Sequence, residues 1–162
     1  MNIAGIDIGS QLAIAIVEFK SEKIIFIEKI DTRQLTFSEL FCVLSDRLKS
    51  NRVRYIGYEK PIYHTNIKSM QKYIEKISAL KLIASLNRIR IVELQPTCVK
   101  KSITGFGKAS KHQVKQLLDN VYNIKVSRQS YDISDAIAIS FALINKLKSE
   151  FHFMFEKDSD NI

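Results

Sequence analysis

The sequence predicts one α/β domain built on a mixed five-stranded sheet, with an antiparallel meander on one side and parallel strands on the other. Two observations carry this prediction: five short runs rich in β-branched residues, and helical periodicity in the segments between the later runs. The chain has 162 residues, of which 46% are hydrophobic and 26% are charged. That length and composition are typical of a single globular domain and exclude a disordered chain.

Three strands are predicted close together at the start of the chain. They are residues 3–8, 12–19 and 24–30, and short polar breaks at Gly9-Ser10 and at Ser21-Glu22-Lys23 separate them. Connections this short join only antiparallel neighbours, so the three strands form a meander.

A crossover helix and a fourth strand follow the meander. Thr36 and Glu39 form a capping box, and residues 36–49 place leucines on one helix face. Residues 53–59 form the fourth predicted strand, which Lys60-Pro61 closes. Since this strand follows a crossover helix, we expect it to lie parallel to an earlier strand, with right-handed topology.

The long helix predicted over residues 67–87 carries two apolar stripes. One stripe covers the sheet, and the other lies on nearly the opposite side in the carboxyl-terminal half. The second stripe predicts either burial under another helix of the same chain or a dimer interface, and the pattern favours neither. This stripe consists of Ala79, Leu82, Ile83 and Leu86.

The remaining elements complete a single domain. Residues 89–94 form the fifth predicted strand, residues 110–122 a helix, and Asp132 begins a last helix that runs to about residue 148. We therefore expect one domain over residues 1–149, followed by a tail over 150–162 that carries four acids and one lysine.

Positive charge is concentrated in one stretch of the chain. The net charge is +8, and residues 96–128 hold seven basic side chains against one acid, Asp119. A genome-wide bias toward lysine codons would raise the net charge but would not separate charge along the chain in this way. The stretch is therefore predicted to bind a polyanion such as nucleic acid.

Several classes of protein are excluded by composition. The longest apolar stretch, residues 136–144, contains Ser140 and is far too short to span a bilayer, so no membrane partner is expected. The amino terminus has no basic leader, and two cysteines exclude a disulfide framework or a four-cysteine zinc site. Cys42 is expected in a helix core and Cys98 is expected to be buried. A reducing compartment, the cytoplasm (of the host cell for a viral protein), is expected.

Four acidic side chains are the candidate catalytic residues. Asp7 lies mid-strand between isoleucines, where an ionised carboxylate is costly unless it is paired or binds a metal. Glu59 ends the fourth strand, and it shares one end of the sheet with Asp7 if the first and fourth strands are neighbours. Asp132 and Asp135 lie one helical turn apart on the same face. Taken singly, these residues also fit solvent-facing strand positions or a helix cap.

The chemistry of these donors points to a hard cation. Four carboxylates without histidine or cysteine suit Mg²⁺ or Mn²⁺ rather than zinc. Two such ions roughly 4 Å apart could activate water and stabilise the leaving oxygen in phosphodiester hydrolysis. The basic stretch would hold a DNA backbone that the acids alone would repel. Together the acids and the basic stretch predict a nuclease.

Three segments of the chain resemble one family of nucleases. Residues 95–114 resemble the Val-Lys, Gly-x-Gly-x-Ala-x-Lys-x-Gln-Val motif of RuvC-type Holliday-junction resolvases. Residues 5–9, Gly-Ile-Asp-Ile-Gly, are similar to the first acidic motif of that family, and residues 132–136 are similar to its last. With Glu59 in the second-acid position, the match covers about residues 3–145. The short length, the richness in lysine and isoleucine and the Ile-Asp-Ile-Gly opening look most like the poxviral branch.

The resemblance implies a ribonuclease-H-like fold, a homodimer, and divalent-metal nicking of four-way junctions at paired sites, in viral DNA recombination or concatemer processing. It makes the four acids the metal ligands. Lys100 and Lys111 match the two lysines of the motif and would contact phosphate near the scissile bond, and Lys101 could replace Lys100 if the loop shifts by one residue. The further DNA-binding candidates are Lys108, Lys115 and Tyr63.

The chain departs from the bacterial pattern in the loop after the second acid, which there carries a base-stacking aromatic. Counting from Glu59, that position is Ile62, with Tyr63 next to it. Tyr63 is expected either to stack on an opened base or to pack under the long helix. This departure leaves open whether the protein has a strict sequence preference at the cut site. His64 and His112 are expected to be phosphate or surface contacts at most.

Three alternatives stay open at this point. An RNase H or an integrase-type nuclease would use the same fold and the same acids. A nucleic-acid-binding module without catalysis would explain the charge, although it gains nothing from carboxylates beside phosphate. Residues 5–9 also look like the phosphate loop of actin-like ATPases and sugar kinases, which need a second domain that 162 residues leave no room for.

Overall fold

The structure, a computed structural model, describes residues 1–9, 11–61, 67–121 and 131–159. Within them are five strands and five helices. The strands are β1 (Asn2–Ile8), β2 (Leu12–Glu18), β3 (Ile24–Ile30), β4 (Val53–Glu59) and β5 (Arg90–Leu94). The helices are α1 (Phe37–Ser50), α2 (Ile67–Leu86), α3 (Pro96–Thr104), α4 (Lys111–Val121) and α5 (Tyr131–Ser159).

The five strands form one mixed sheet in the order β3-β2-β1-β4-β5. β1, β2 and β3 pair antiparallel, whereas β1 pairs parallel with β4 and β4 pairs parallel with β5. The predicted sheet is thus confirmed, because short polar turns join the meander and helices join the parallel strands. β1 lies where the pairing changes from antiparallel to parallel, and its carboxyl end stands beside the carboxyl end of β4.

The two faces of the sheet are covered by different helices. On one face, Ile3, Ala13, Ala15 and Val17 belong to a buried cluster with α5. On the other, alternate residues of the same strands join a cluster with α1 and α2. Because side chains alternate along a strand, Gly5 and Asp7 lie on the same strand face as Ile3, the face that α5 covers.

Two glycines allow α5 to lie directly on the sheet. Gly5 of β1 is in register with Gly57 of β4. A Cβ atom on Gly5 would stand 2.2 Å from the carbonyl oxygen of Ala136, and one on Gly57 would stand 3.3 Å from Cβ of Leu143. Ser140 lies in this contact, and its Oγ donates a hydrogen bond to the Ala15 carbonyl oxygen at 2.9 Å. The start of α5 is thereby held over the carboxyl end of β1.

Helix α1 begins as predicted, but the cysteine predictions were wrong. Thr36 Oγ1 accepts from the Glu39 amide, and the Glu39 carboxylate accepts from the Thr36 amide, which completes the capping box. Cys42 is exposed on this helix rather than part of its core, since the buried face runs through Leu40, Leu44 and Leu48. Cys98 is also exposed, on α3.

The second apolar stripe of α2 is divided between the core and the surface. Ala79 and Ile83 are fully buried within the same chain, whereas Leu82 and Leu86 are exposed. The sequence pattern grouped all four because their spacing of three and four residues places them along one side of the helix. The intrachain alternative therefore holds for two of them, and the exposed pair forms a different surface.

The carboxyl-terminal half of the chain is more helical than predicted. Helix α3 was not predicted; Pro96 stands in its first turn, and Gly105 ends it with φ of +73°. Helix α4 lies within the predicted range, and α5 extends to Ser159, past the expected end near residue 148. In the part of the chain that the structure describes, no helix is both long and apolar enough to cross a membrane.

Candidate active site

The structure brings the four predicted acids together at one edge of the sheet. Ile6 is in register with Tyr58, so Asp7 and Glu59 are the next residues of two parallel neighbours and end side by side. Asp132 and Asp135 lie in the first two turns of α5, which the contact at Gly5 holds over this edge. Residues from three separate elements therefore form one acidic cluster, which we define as Asp7, Glu59, Asp132 and Asp135.

The electrostatics of the acidic cluster show how closely the carboxylates crowd. Burial, together with the charges of Asp135, Asp132 and Glu59, raises the pKa of Asp7 to about 7 against the opposing charge of Lys111. Burial is also the main cause of a raised pKa at Glu59, with Asp135 adding to it. The cluster therefore holds more negative charge than its surroundings neutralise.

Lys111 gives part of the missing positive charge. As the first residue of α4, it places Nζ 2.5 Å from Oδ2 of Asp135. Burial acts to lower the pKa of Lys111, but the hydrogen bond to Asp135 and the nearby carboxylates outweigh it and leave that pKa raised. Lys100 of α3 also faces the cluster, since its charge acts to lower the pKa values of Glu59 and Asp135. Both motif lysines thus lie near the acids, and their contact with phosphate stays a prediction.

A third lysine at the cluster was missed by the sequence analysis. Lys29 of β3 places Nζ 2.7 Å from Oδ2 of Asp132. No pattern in the sequence marks Lys29, because β3 and α5 are far apart along the chain and meet only in the folded sheet. Asp132 is therefore both a helix-start residue and the partner of a strand lysine.

The donor chemistry of the acidic cluster fits a hard divalent cation, but the lysines stand in the way. Four crowded carboxylates, one with a pKa near 7, are the oxygen ligands that Mg²⁺ and Mn²⁺ prefer. Among the described residues, no three His, Cys, Asp or Glu side chains are spaced to hold a metal ion between them. Lys111 and Lys29 each occupy the side of a carboxylate that a cation would approach.

The structure separates the remaining predicted DNA contacts into two groups. Lys101 and Lys108 are exposed near α3. Lys115 is only 7% exposed, and its Nζ lies 2.8 Å from Oδ2 of Asp119, one turn further along α4. Lys115 is thus held in the protein rather than presented to a ligand, and we leave it out of the DNA surface.

Three other predictions concern residues near the motifs. His112 is exposed in the first turn of α4, as expected for a surface contact. Tyr63 and His64, like Ile62 before them, lie outside the described residues.

A cavity of about 990 Å³ opens beside Asp7 and Glu59. Tyr73 of α2 lines it and donates its hydroxyl to the backbone oxygen of Glu59 at 2.9 Å. Lys76, one turn further on, donates from Nζ to the backbone oxygen of Gly9 at 2.7 Å. These contacts anchor α2 to the ends of β1 and β4. Arg33, Phe37 and Lys72 also line the cavity.

Comparison with known proteins identifies the family. A family model described as crossover junction endodeoxyribonuclease RuvC matches residues 3–143. This chain belongs to the RuvC family. A RuvC protein of Helicobacter pylori (strain Shi470) is 36% identical over 156 residues, which cover 91% of this chain and 99% of that protein.

Solved structures of RuvC-type resolvases share the fold. RuvC of Thermus thermophilus in complex with Holliday junction substrate has a TM-score of 0.75 at 18% identity and covers 88% of this chain and 91% of that one. Fowlpox virus resolvase in complex with its Holliday junction DNA has a TM-score of 0.62 at 20% identity, covering 91% and 99%. The ribonuclease-H-like sheet expected from the RuvC resemblance is thus confirmed.

The poxviral affinity expected within the RuvC family has weaker support than the family itself. The Helicobacter pylori protein, like one from Sulfurovum that is 32% identical over 91% of this chain, is bacterial. The fowlpox structure is similar in fold at 20% identity. Sequence similarity therefore favours bacterial RuvC proteins.

Proposed function

We propose that this RuvC-family protein is a metal-dependent endonuclease that cuts four-way DNA junctions by paired nicks. The observation that carries the proposal is the convergence of four carboxylates and two motif lysines at one sheet edge. Membership of a family described as crossover junction endodeoxyribonucleases supports the substrate. Two proteins of the same fold, from Thermus thermophilus and fowlpox virus, are described in complex with Holliday junctions.

Asp7, Glu59, Asp132 and Asp135 would hold the cation, Mg²⁺ or Mn²⁺. When bound, such an ion supplies an activated water and charge stabilisation at the leaving oxygen. Burial is the main cause of the raised pKa of Asp7, and the neighbouring carboxylates add to it. This supports the role, because a bound divalent cation would stabilise the charged form of Asp7.

The lysines at the acidic cluster would move from carboxylate to phosphate. Lys111 contacts Asp135 through a side chain that is 64% exposed, so this side chain can turn from the carboxylate to a phosphate oxygen. Lys100 adds a second positive charge on the same side. In the proposed complex both lysines neutralise the DNA strand as it enters the acidic cluster.

The proposed DNA surface continues on both sides of the acidic cluster. Lys101 and Lys108 are exposed on the α3 side, and Arg33 and Lys72 line the cavity on the α2 side. Tyr63 stays a predicted base contact of the loop after Glu59. Because phosphate contacts release counterions, binding should weaken steeply as salt concentration rises.

We also propose a homodimer, since paired nicks need two active sites. Apolar side chains of α2 stand exposed along one face of the helix, which favours a protein contact there. They are Ile67, Ile74, Leu82 and Leu86.

A role in viral recombination and a cytoplasmic location stay predictions.

A substrate panel tests the proposal. We expect the purified protein with Mg²⁺ or Mn²⁺ to nick a synthetic four-way junction in preference to a flap, a linear duplex and an RNA–DNA hybrid. Equal or faster cutting of the hybrid would favour the RNase H alternative. Cutting at the ends of linear DNA would favour the integrase alternative.

A substitution at the acidic cluster tests the role of the acids. Asp7→Asn is expected to bind the junction with unchanged affinity and to leave it uncut, because the change keeps the size of the side chain and removes one ligand charge. Cleavage by this variant at the wild-type rate would remove Asp7 from the active site. Binding without cleavage by the wild-type protein, in either metal, would favour the non-catalytic module.

A further inference from the structure

We propose a nucleobase-binding site between α3 and α4, in which Phe106 stacks on a base that has come unpaired at the branch point of DNA. The inference rests on the proposed function, since it adds a contact to the same substrate. It assigns a role to a side chain inside the Gly-x-Gly motif that phosphate binding and metal binding do not use.

Phe106 is displayed on a turn that is fixed before any ligand arrives. Its side chain is 60% exposed, which is unusual for a phenylalanine. Thr104 Oγ1 accepts the Phe106 amide at 3.0 Å, and the Phe106 carbonyl oxygen accepts from Thr104 Oγ1 at 2.8 Å. Gly105 ends α3 with φ of +73°, a conformation that favours glycine. Because the turn is already ordered, little backbone freedom is lost when Phe106 contacts a ligand.

Phe106 forms one wall of a cavity of about 300 Å³. That volume is at the lower end of the range for ligand pockets and suits one planar ring system. The opposite wall is one face of α4, where residues three and four apart lie next to each other. The lining of this wall is Gln113, Gln116, Leu117 and Asn120.

The chemistry of the lining fits a base. Phe106 offers an aromatic face, and stacking on it accepts any base because every base has a π-face. Gln116 and Asn120 carry amide groups that both donate and accept, like the edge of a base. Gln113 is held at the start of α4, where its Oε1 accepts the Ser110 amide at 2.8 Å. An apolar peptide would leave these amides without partners, so the lining favours a ligand with its own donors and acceptors.

The surrounding charge shows that the base would be part of a polyanion. Residues 96–118 contain no acidic side chain. Exposed Lys101 and Lys108 flank the turn that carries Phe106. The same charge would repel a second copy of this surface, which argues against a dimer contact here.

The cavity lies close to the acidic cluster along α4. Lys111 begins this helix and pairs with Asp135, and Gln116 follows it by five residues, about 7.5 Å along the helix axis and about 140° around it. A strand whose phosphate lies at Lys111 would pass around the amino-terminal end of α4 to bring a neighbouring base to Phe106. Such a base is cheapest to unstack at a branch point, where pairing is already interrupted.

Abasic junctions test the site directly, because they keep every phosphate and remove one base. We expect Phe106→Ala to weaken binding to an ordinary four-way junction about tenfold, while Phe106→Tyr binds like the wild type. An abasic position is then placed in turn at each of the three nucleotides on either side of the branch point. At one position it should weaken junction binding by the wild type about tenfold and leave binding by Phe106→Ala unchanged. Ile25→Ala, which truncates an exposed apolar side chain on the edge strand β3, is the matched control and should change nothing.

The outcomes separate this inference from the proposed function. If the wild type cuts junctions but Phe106→Ala binds as tightly as the wild type, the base site is wrong and the nuclease stands. Stacking would also be overturned if Phe106→Ala binds more weakly than the wild type and this difference in affinity persists at every abasic position. A shift of Phe106→Ala from dimer to monomer in sedimentation would make this surface a contact between copies instead. If the wild type cuts no junction, its binding to a single strand that carries one abasic position still tests Phe106. Wild-type binding that no abasic position weakens would then overturn the base site.

Discussion

A Cβ atom on Gly5 of β1 would stand 2.2 Å from the carbonyl oxygen of Ala136 on α5. No side chain fits that space, so backbone lies directly on backbone at this point. Asp7 follows Gly5 by two residues on the same strand face, and Asp135 immediately precedes Ala136. The contact between Gly5 and Ala136 therefore sets the distance between two of the four acids.

Gly5→Ala tests this relationship. The added methyl group must push α5 away from β1, and overpacking of this kind typically costs about 1–3 kcal/mol of unfolding free energy. We expect junction cleavage to fall more than stability explains, because Asp132 and Asp135 move with the helix. Denaturant unfolding and cleavage rates measure the two effects.

Gly57→Ala is the matched control for that experiment. It lies in register with Gly5, but its added Cβ would meet side-chain atoms of Leu94 and Ile139 at 3.2 and 3.3 Å. Since these side chains can yield, we expect a smaller loss of both stability and activity. Equal effects of the two substitutions would show that close backbone contact is not what positions the acids.

The raised pKa of Asp7 predicts a pH-dependent loss of stability in the metal-free protein. The folded state holds the Asp7 proton up to about pH 7, whereas the unfolded state releases it near the ordinary aspartate pKa of 3.8. Stability contributed by this group is therefore lost as pH rises from about 4 to 7. Asp7→Asn has no such loss, so in EDTA it should melt at a higher temperature than the wild type at pH 8.

Added Mg²⁺ should reverse this order. A cation bound by the acids stabilises the folded wild type by mass action, and Asp7→Asn has one ligand charge fewer. We expect thermal shifts with Mg²⁺ to be larger for the wild type than for the variant at pH 8. Equal shifts would contradict a metal site that includes Asp7.

Lys108 and Lys115 should respond in opposite ways to truncation. Lys115→Ala removes a buried stem and breaks the ion pair with Asp119, so we expect a loss of about 1–2 kcal/mol in unfolding free energy. Lys108→Ala is expected to leave stability unchanged and to reduce the salt slope of junction binding by about one. Unfolding curves and salt titrations of junction binding measure both effects. A reduced salt slope for Lys115→Ala with an unchanged unfolding free energy would show that Lys115 contacts DNA.

The exposed face of α2 predicts how the dimer can be broken. Leu82→Glu combined with Leu86→Glu adds two charges to that face without touching Ala79 or Ile83, which are buried. We expect folded monomers in sedimentation that bind the junction more weakly and lose paired nicking. Ile25→Glu on β3 adds a charge to another exposed apolar position and serves as the control; an intact dimer in the double variant would move the interface elsewhere.

The elements of this protein follow from local sequence. Short polar turns produce the meander, the Thr36–Glu39 box begins α1, and the crossover helix predicts that β4 lies parallel to an earlier strand. These features depend on residues close together in the chain or on rules of connection that hold for any sequence. The structure shows that the earlier strand is β1, and that pairing brings Asp7 beside Glu59.

Other features depend on contacts between distant segments, which no local pattern records. Lys115 carries the same charge as Lys108 but faces inward on α4. Lys29 reaches Asp132 only because β3 lies in the same sheet that α5 covers. The sequence by itself determined which chemistry is present, namely four carboxylates and a basic stretch on an α/β frame. Only the tertiary structure decided which lysines meet those carboxylates, because that depends on how closely α5 can approach the strand at Gly5.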